Sequence, residues 1–461
     1  MNVSTAYDVI IIGSGPAGIF AALELVRHKN TKVLMIEKGS ELERRSCPMI
    51  VSSVPCVKCG LCSILCGWGG AGAYSDGKLT LTSDFGGWLK DYLSPEYLSR
   101  LIAYVDSIYL SFGAGGMVHG EDTAALYRLK KKAAGYDLEL IPARIRHIGT
   151  DLCREVLKKI RDELNGKVDI LFETPVSEIR VHDGAVCGVL MRDNRTFSAP
   201  VVIAAAGREG STWLSNEAKR LGLSVHQNPV DIGVRVELPA HIMKDITDIA
   251  YEGKFIYLTK RFHDRVRTFC MNPYGEVVKE FSEGVFSVNG HSYKKRTTDN
   301  TNFALLVSTD FTRPFNDPIS YGKYIAGLAN LIGGGVIMQR LGDLKMGRRS
   351  TVERIAEGSV RPTLADATPG DLSFVLPYRH LHNITEMLEA LDNVAPGVNS
   401  GDTLLYGVEV KFYSMKLKLT RGLETEVKNL FAVGDGAGVT RGLIQASISG
   451  VVAAREVLKT L

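Results

Sequence analysis

The stretch Tyr7-Asp8-Val9-Ile10-Ile11-Ile12-Gly13-Ser14-Gly15-Pro16-Ala17-Gly18 decides the fold class. Tyr7 to Ile12 is an apolar, β-branched run, which predicts a buried strand of a parallel sheet. Ile19 to His28 continues with helical periodicity, and Lys32-Val33-Leu34-Met35-Ile36 is a second apolar strand that ends on Glu37. Each residue type at the turn answers a physical need. Gly13 permits a tight turn, Gly15 lets backbone approach a pyrophosphate, and Gly18 lets the helix sit close to the strand. Pro16 and Ala17 lead into the helix, whose first N–H groups and positive dipole end suit phosphate. Glu37 stands about 20 residues past the glycines, where a carboxylate accepts from ribose hydroxyls. Lys38 beside it is a further candidate. Strand, glycines, helix, strand and acid in that order predict a Rossmann-type dinucleotide unit.

The rest of the chain sets the context for this unit. Its 461 residues suffice for two or three packed units. With 45% apolar and 23% charged residues, the composition is that of a soluble globular protein. The net charge of +4 is spread among interspersed acids and bases, which argues against a nucleic-acid footprint. Lys294-Lys295-Arg296, the nearest thing to a basic cluster, reads as a solvated loop. No apolar run is long enough to span a bilayer, and Val9–Ile12 is too short and lacks the basic flank of a signal peptide. The expectation is a cytoplasmic protein with reduced thiols and neither a membrane nor a nucleic acid as partner.

Three further segments specify the dinucleotide. Asn429-Leu430-Phe431-Ala432-Val433 is a short buried strand running into Gly434-Asp435-Gly436-Ala437-Gly438. Gly442-Leu443-Ile444-Gln445-Ala446-Ser447 then opens a last helix to Leu458. This strand–Gly–Asp–Gly segment resembles the second FAD fingerprint of the glutathione-reductase-like flavoproteins. The resemblance implies FAD, with Asp435 on the ribityl chain and the backbone near Leu443 and Ile444 facing the flavin ring. Val201 to Ala206, ending on Gly207, resembles the Ala-x-Gly connection of the same superfamily. Phe172-Glu173-Thr174-Pro175-Val176 resembles its strand whose Val lies against adenine. Ser177–His182, a turn at Asp183-Gly184, and Val186–Met191 predict a hairpin within a small β-meander. Gly333-Gly334-Gly335 lacks both the preceding strand and the acid of a second nucleotide unit, so none is expected for NAD(P)H.

One segment narrows the resemblance. Gly69-Gly70-Ala71-Gly72-Ala73-Tyr74-Ser75-Asp76-Gly77-Lys78-Leu79 resembles a motif of a family described as uncharacterised FAD-dependent dehydrogenases. Gly347-Arg348-Arg349, Gly407-Val408-Glu409 and Gly434–Gly438 match the same family, so the likeness covers nearly the whole chain. It implies an FAD-containing oxidoreductase and no particular substrate. A loop of Gly and Ala packs backbone tightly against a flat ring. Gly70, Gly72 and Ser75 are expected near the pyrophosphate and the flavin N5 edge. Asp76 and Lys78 are either part of that site or a structural ion pair. Arg45, or Arg44, is expected to pair with the pyrophosphate, as bidentate Arg does, with a surface role as the alternative.

Cys56-x-x-Cys59-x-x-Cys62-x-x-x-Cys66 precedes the glycine loop with the spacing of a bacterial ferredoxin cluster segment. Gly67 stands where ferredoxins carry Pro. Three readings stay open: a 4Fe-4S cluster with Cys66 or Cys47 as fourth ligand, a structural zinc site, or free thiols.

The expected organisation is an α/β fold with a Rossmann-type FAD-binding domain in separate segments and a mixed α+β substrate domain. Residues 1–83 form the first FAD segment, 84–144 a helical cover, 145–215 the second FAD segment, 216–400 the substrate domain and 401–461 the last FAD segment. Among polar residues of the middle region, Glu409 is the first candidate for moving a proton beside the flavin, and Tyr274 the second. The expected function is that of a reductase or dehydrogenase of a small organic molecule. Its electrons would come from a nicotinamide or a ferredoxin-like protein, through an iron–sulfur cluster in one version. A one-Rossmann flavin monooxygenase and a non-catalytic flavin-binding redox module are the alternatives.

Overall fold

The computed structural model describes residues 7–461 apart from 29, 53–55, 227, 283, 294–296, 310–313 and 315–316. The basic triplet Lys294-Lys295-Arg296 therefore lies outside the described residues. The chain forms two compact units, Met1–Met117 with Arg146–Asn228 and Tyr413–Leu461, and Val118–Ile145 with Pro229–Phe412.

The first unit is built on a five-stranded parallel sheet. Its order is Leu430–Ala432, Val201–Ala204, Val9–Ile12, Val33–Ile36 and Val168–Leu171. The register aligns Ile12 with Ala204 on one side and Ile36 on the other, so three separate segments end at one level. Val9, Ile10 and Ile11 are wholly buried, as strands covered on both faces must be. The helices Pro16–His28 and Leu443–Val457 are apolar on nearly every side, and they bury one another. Gly450 makes this possible, because a Cβ there would stand 2.0 Å from the Ala17 carbonyl oxygen. The meander runs Val176–His182, Ala185–Met191 and Thr196–Ser198, with Asp183 and Gly184 at positive φ in the hairpin turn. Residues 172–175 are a turn rather than a strand, since Glu173 is forced to φ +54° and Thr174 N–H bonds back to the Glu37 carbonyl.

The second unit is an eight-stranded sheet, mixed only at its edge. Its order is Thr368–Pro369, Ile337–Arg340, Leu404–Lys411, Val230–Pro239, Asn300–Thr309, Arg265–Asn272, Lys254–Leu258 and Leu138–Ile141. Helices Ala240–Ala250, Pro318–Gly333 and Tyr378–Asp392 pack on it. Its core lies along the central strands, where Ile232, Val234, Val236, Leu305 and Leu405 are all enclosed. The stretch expected as one helical cover is divided between units. Helix Pro95–Ser111 goes with the first, while helix Thr123–Ala134 and strand Leu138–Ile141 go with the second. The reason is a long-range pairing of Leu138–Ile141 with Lys254–Leu258, which local periodicity does not carry. Residues 216–228 belong with the first unit and 401–412 with the second. No helix among the described residues is long and apolar enough to cross a membrane.

Candidate functional site

The glycines of the first turn divide by what surrounds them. A Cβ on Gly13 would stand 2.3 Å from the Ala205 carbonyl oxygen, and φ there is +103°. A Cβ on Gly18 would stand 2.0 Å from the Gly13 carbonyl oxygen. Both glycines are required by the protein's own packing. Gly15 differs, because nothing lies within 4 Å of its missing Cβ. It faces open space at the start of a helix that begins on Pro16 and has no acidic side chain in its first turn. Backbone N–H groups at a positive dipole end, with open space before them and no competing carboxylate, form an anion cradle.

Other segments close around that cradle. Gly70 lies over Gly15, with a Cβ position 3.1 Å from the Gly15 Cα. Gly69 N–H donates to the Ser14 carbonyl at 2.9 Å, which ties the glycine loop to the first turn. Gly72 faces Leu443 and Pro16, and Gly434 faces Ala17. Gly436 lies against the Gly207 backbone, while Gly207 itself faces open space at φ +62°. Gly13, Gly15, Pro16, Ala17, Gly18, Gly70, Gly72, Gly207, Gly434 and Leu443 are thus brought together from four stretches of sequence.

Glu37 is buried, and its carboxylate is fully engaged. Oε2 accepts from the Ser14 N–H (2.9 Å) and hydroxyl (2.8 Å). Oε1 accepts from the N–H groups of Gly39 (2.8 Å) and Gly67 (3.1 Å). The acid therefore pins the end of the second strand to both glycine loops. Only the Ser14 hydroxyl among these donors is free to turn away.

Arg45 does not point at the cradle as a phosphate clamp. It is buried, and its guanidinium donates to the carbonyls of Ser63 (2.9 Å), Ile64 (2.8 Å) and Trp68 (2.5 Å). Burial pulls its pKa down to about 10, against the opposing fields of Tyr74 and Glu37. It works as a staple beneath the glycine loop. Arg44 pairs with Glu173 at the surface, and Lys38 donates to the Glu209 carbonyl at 3.2 Å. Ser75 accepts from the Gly77 N–H and donates to the Gly72 carbonyl, so it shapes the loop from within. Asp76 and Lys78 form a largely enclosed ion pair at 3.0 Å, the structural alternative. Val176 is buried at the start of the meander.

At the other end of the cradle stands Asp435. Its Oδ1 accepts from the Thr440 hydroxyl at 2.8 Å, and Arg208 lies 3.9 Å from Oδ2. Burial raises its pKa, with Arg208 and Thr440 opposing. The helix Leu443–Val457 starts after Gly442, with no side-chain cap and no acid in its first turn. Ile444 is buried directly behind that start. Arg441 precedes it, stacked against Tyr413 and over Trp88, 4.2 Å from the indole centroid. Sequence reasoning missed Arg441, Trp88 and Tyr413. A signal existed, for Thr440-Arg441-Gly442 abuts a helix start and Trp88 follows a Gly86-Gly87 pair in a chain with three tryptophans.

The cysteines do not form a ligand set. Among the described residues, no three His, Cys, Asp or Glu side chains come together in a way that could hold a metal ion. Cys66 is buried, Cys59 is exposed, and Cys56, Cys62 and Cys47 lie between these extremes. The chain is anchored on either side of Cys66. Cys66 N–H bonds to the Cys62 carbonyl, Gly67 N–H to Glu37, and Trp68 N–H to the Ser40 carbonyl. Cys66 is thereby anchored in the protein interior. The described residues therefore lend no support to the iron–sulfur or the zinc reading.

In the second unit Glu409 is wholly buried and paired bidentately with Arg235, Nε to Oε2 and Nη2 to Oε1, both at 2.8 Å. Lys411 Nζ lies 2.9 Å from Oε1. Burial alone would raise the Glu409 pKa, but Arg235 and Lys411 outweigh it and hold the carboxyl below its usual value. Arg235 Nη1 also donates to the Cys270 carbonyl and to Asn302 Oδ1. A carboxylate locked between two cations is a poor carrier of protons. Its place is structural, tying together strands Val230–Pro239 and Leu404–Lys411. Tyr274 is exposed in the turn between strands Arg265–Asn272 and Glu276–Ser282 at φ +52°. The first two candidates for catalysis thus differ in setting, one enclosed and the other open to solvent.

Residues 229–412 match the family described as FAD-dependent protein, C-terminal domain-like, and residues 7–54 match pyridine nucleotide-disulphide oxidoreductase. The first match coincides with the long segment of the second unit. A relative from Clostridium beijerinckii, named only as an uncharacterized protein, is 28% identical over 477 aligned positions, covering 98% of this chain and 80% of the relative. Among solved structures, glycine oxidase from Geobacillus kaustophilus aligns at 14% identity over 98% of this chain and 95% of its own, with a TM-score of 0.41. L-proline dehydrogenase from P. horikoshii aligns at 11% identity over 99% and 95%, with a TM-score of 0.43.

Proposed function

We propose that this chain, an FAD-dependent oxidoreductase of the FAD/NAD(P)-binding superfamily, acts as a reductase or dehydrogenase on a small organic substrate chosen by its second unit. The observation that carries the reading is the cradle over Gly15, closed by Gly70, Gly72, Gly434 and Leu443 and left open where a pyrophosphate needs backbone. The residues fit the cofactor. The helix starting at Pro16 supplies N–H groups to the pyrophosphate. Asp435, with Thr440 behind it, accepts from ribityl hydroxyls. Glu37 would accept from the adenosine ribose once the Ser14 hydroxyl turned away. The uncapped start of the helix at Leu443 offers backbone N–H groups to the flavin ring, with Ile444 packed behind. Val176 closes the adenine side.

Bound FAD supplies the hydride chemistry, and the protein supplies position and electrostatics. Arg441, stacked against Tyr413 and Trp88 beside Leu443, places a fixed positive charge next to the ring's expected position. Such a charge favours added electron density there. Glu409 keeps the substrate unit's sheet in shape and carries no proton. No step is routed through an iron–sulfur cluster, for which the described residues bring no ligand group together.

The test is anaerobic reduction of the FAD-loaded protein with NADH, NADPH and a reduced ferredoxin, followed at the flavin absorbance, with iron and sulfide analysis on the same sample. Bleaching by one donor with less than stoichiometric iron supports the reading. A flavin that no donor bleaches argues against these electron routes, a protein that binds no flavin overturns the reading, and four irons and four sulfides per chain would restore the cluster as the electron route. Hydroxylated product formed with NADPH and oxygen would favour a monooxygenase instead.

A further inference from the structure

Helix Pro318–Gly333 departs from the pattern of the other long helices. Its sequence, PISYGKYIAGLANLIG, carries one charged residue, Lys323. In the first unit, helices of this kind are enclosed, as Pro16–His28 and Leu443–Val457 are by each other. Other long helices, such as Thr150–Leu164, turn a face of lysines, arginines and acids to water. Pro318–Gly333 does neither. Its inner face, Gly322, Ala326, Ala329 and Gly333, packs on the second unit's sheet, where a Cβ at Gly322 would meet Phe412, Val410 and Val230.

The outer face is apolar and open. Tyr324 is 79% exposed, Leu328 38%, Leu331 82% and Ile332 50%. The spacing i, i+4, i+7, i+8 aligns these side chains in one stripe. Gly327 lies beside the stripe with no atom within 4 Å of its Cβ position, which leaves a notch among the large side chains. Large neighbours on both sides of a small residue form the knob and hole of a helix pair.

We propose that this stripe is a two-fold interface between two copies of the chain, each helix Pro318–Gly333 lying antiparallel on the other. Three observations select a second copy as the occupant. The stripe is self-complementary when reversed about Leu328, since Tyr324 of one copy then meets Leu331 and Ile332 of the other, as an isologous contact requires. The four side chains expose on the order of 500 Å², so the pair buries on the order of 1,000 Å², the size at which specific interfaces begin. The helix has almost no charge with which to choose a charged partner. A lipid surface fits less well, because helices that lie on membranes carry Lys and Arg along the polar face, and this one has a single Lys.

The experiment is size-exclusion chromatography with light scattering on the full-length, FAD-loaded protein over about 0.5–50 µM, a range set by the affinities of interfaces of this size. Wild type is expected to run as a dimer. Leu331→Glu and Tyr324→Glu are expected to halve the mass, while flavin absorbance and far-UV circular dichroism stay unchanged. Phe374→Glu, a 68% exposed apolar site elsewhere in the unit, is the control and should remain dimeric. Leu328→Cys, in a Cys59→Ser/Cys187→Ser background, should cross-link to a symmetric dimer on oxidation because it lies near the two-fold axis. A monomeric wild type at the highest concentration overturns the proposal, as does a dimer that survives both Glu variants. Should the monomer float with phosphatidylcholine–phosphatidylglycerol vesicles and Leu331→Glu abolish this, the face is a membrane site and the proposal falls.

Discussion

Gly15→Ala offers the sharpest separation between a glycine needed for folding and one needed for the ligand. A Cβ at Gly15 meets nothing within 4 Å, and Gly15 is not among the residues at positive φ. The substitution should leave the apoprotein's stability unchanged or raise it by up to about 1 kcal/mol, because alanine narrows the unfolded chain. The new methyl group stands where the pyrophosphate must approach backbone. Losing one charge-assisted hydrogen bond there costs about 1.5–3 kcal/mol. That corresponds to a rise of roughly 10- to 100-fold in the FAD Kd, at about 1.4 kcal/mol per factor of ten. Gly13→Ala and Gly18→Ala make the same chemical change in the same turn with the opposite outcome. Their Cβ atoms would lie 2.3 and 2.0 Å from carbonyl oxygens, and Gly13 also sits at positive φ. The left-handed conformation alone costs about 1–2 kcal/mol, and the clash adds to it. Thermal unfolding of the apoproteins and fluorescence titration with FAD separate the two classes. Gly15→Ala with wild-type FAD affinity would refute the cradle, and Gly13→Ala with an unchanged Tm would refute the packing argument.

Glu409→Gln leaves Arg235 buried beside a neutral partner and should destabilise the second unit by about 3–5 kcal/mol, seen as a lower-melting transition in calorimetry. Because Arg235 and Lys411 hold the folded Glu409 carboxyl below its ordinary value, its stabilisation is present above the unfolded value of about 4.3 and is lost as pH falls through the folded one. That arm of acid unfolding should disappear in Glu409→Gln. His380, buried and bonded to Thr309, has its pKa pulled down to about 4 by burial. The unfolded chain then binds a proton that the folded chain refuses between pH about 6.5 and 4, so stability should fall by about 3 kcal/mol across that window. His380→Gln should flatten the slope in denaturant titrations. With a thiol reagent, exposed Cys59 and Cys187 should react at once in the native protein. Cys153, whose thiol burial pushes up to about 12, should react only on unfolding, as peptide mapping would reveal.

The sequence was most legible where one residue type has one physical use. Val9–Ile12 and Val33–Ile36 are apolar on both faces, Gly13 and Gly18 have no room for a side chain, and Asp183-Gly184 takes a hairpin turn at positive φ. The cradle was legible for the same reason. Side-chain destinations were not. Arg45 and a phosphate-binding arginine look identical in sequence, and only the carbonyls of Ser63, Ile64 and Trp68 distinguish them. Glu409 reads as a proton carrier until Arg235, 174 positions away, is seen to neutralise it. The cysteine spacing suggests a cluster, yet no metal-ligand group comes together among the described residues. The division of residues 84–144 depends on a strand that pairs more than a hundred positions downstream.

The central claim is one FAD site assembled from separated segments of one unit. Its most direct measurement is calorimetric titration of the apoprotein with FAD and, in parallel, with FMN. A stoichiometry of one FAD per chain, with FMN bound far more weakly because it lacks the pyrophosphate-linked adenosine that the Gly15 cradle and Glu37 are expected to hold, is the predicted result. Equal affinity for FMN, or no saturable FAD binding, would contradict it.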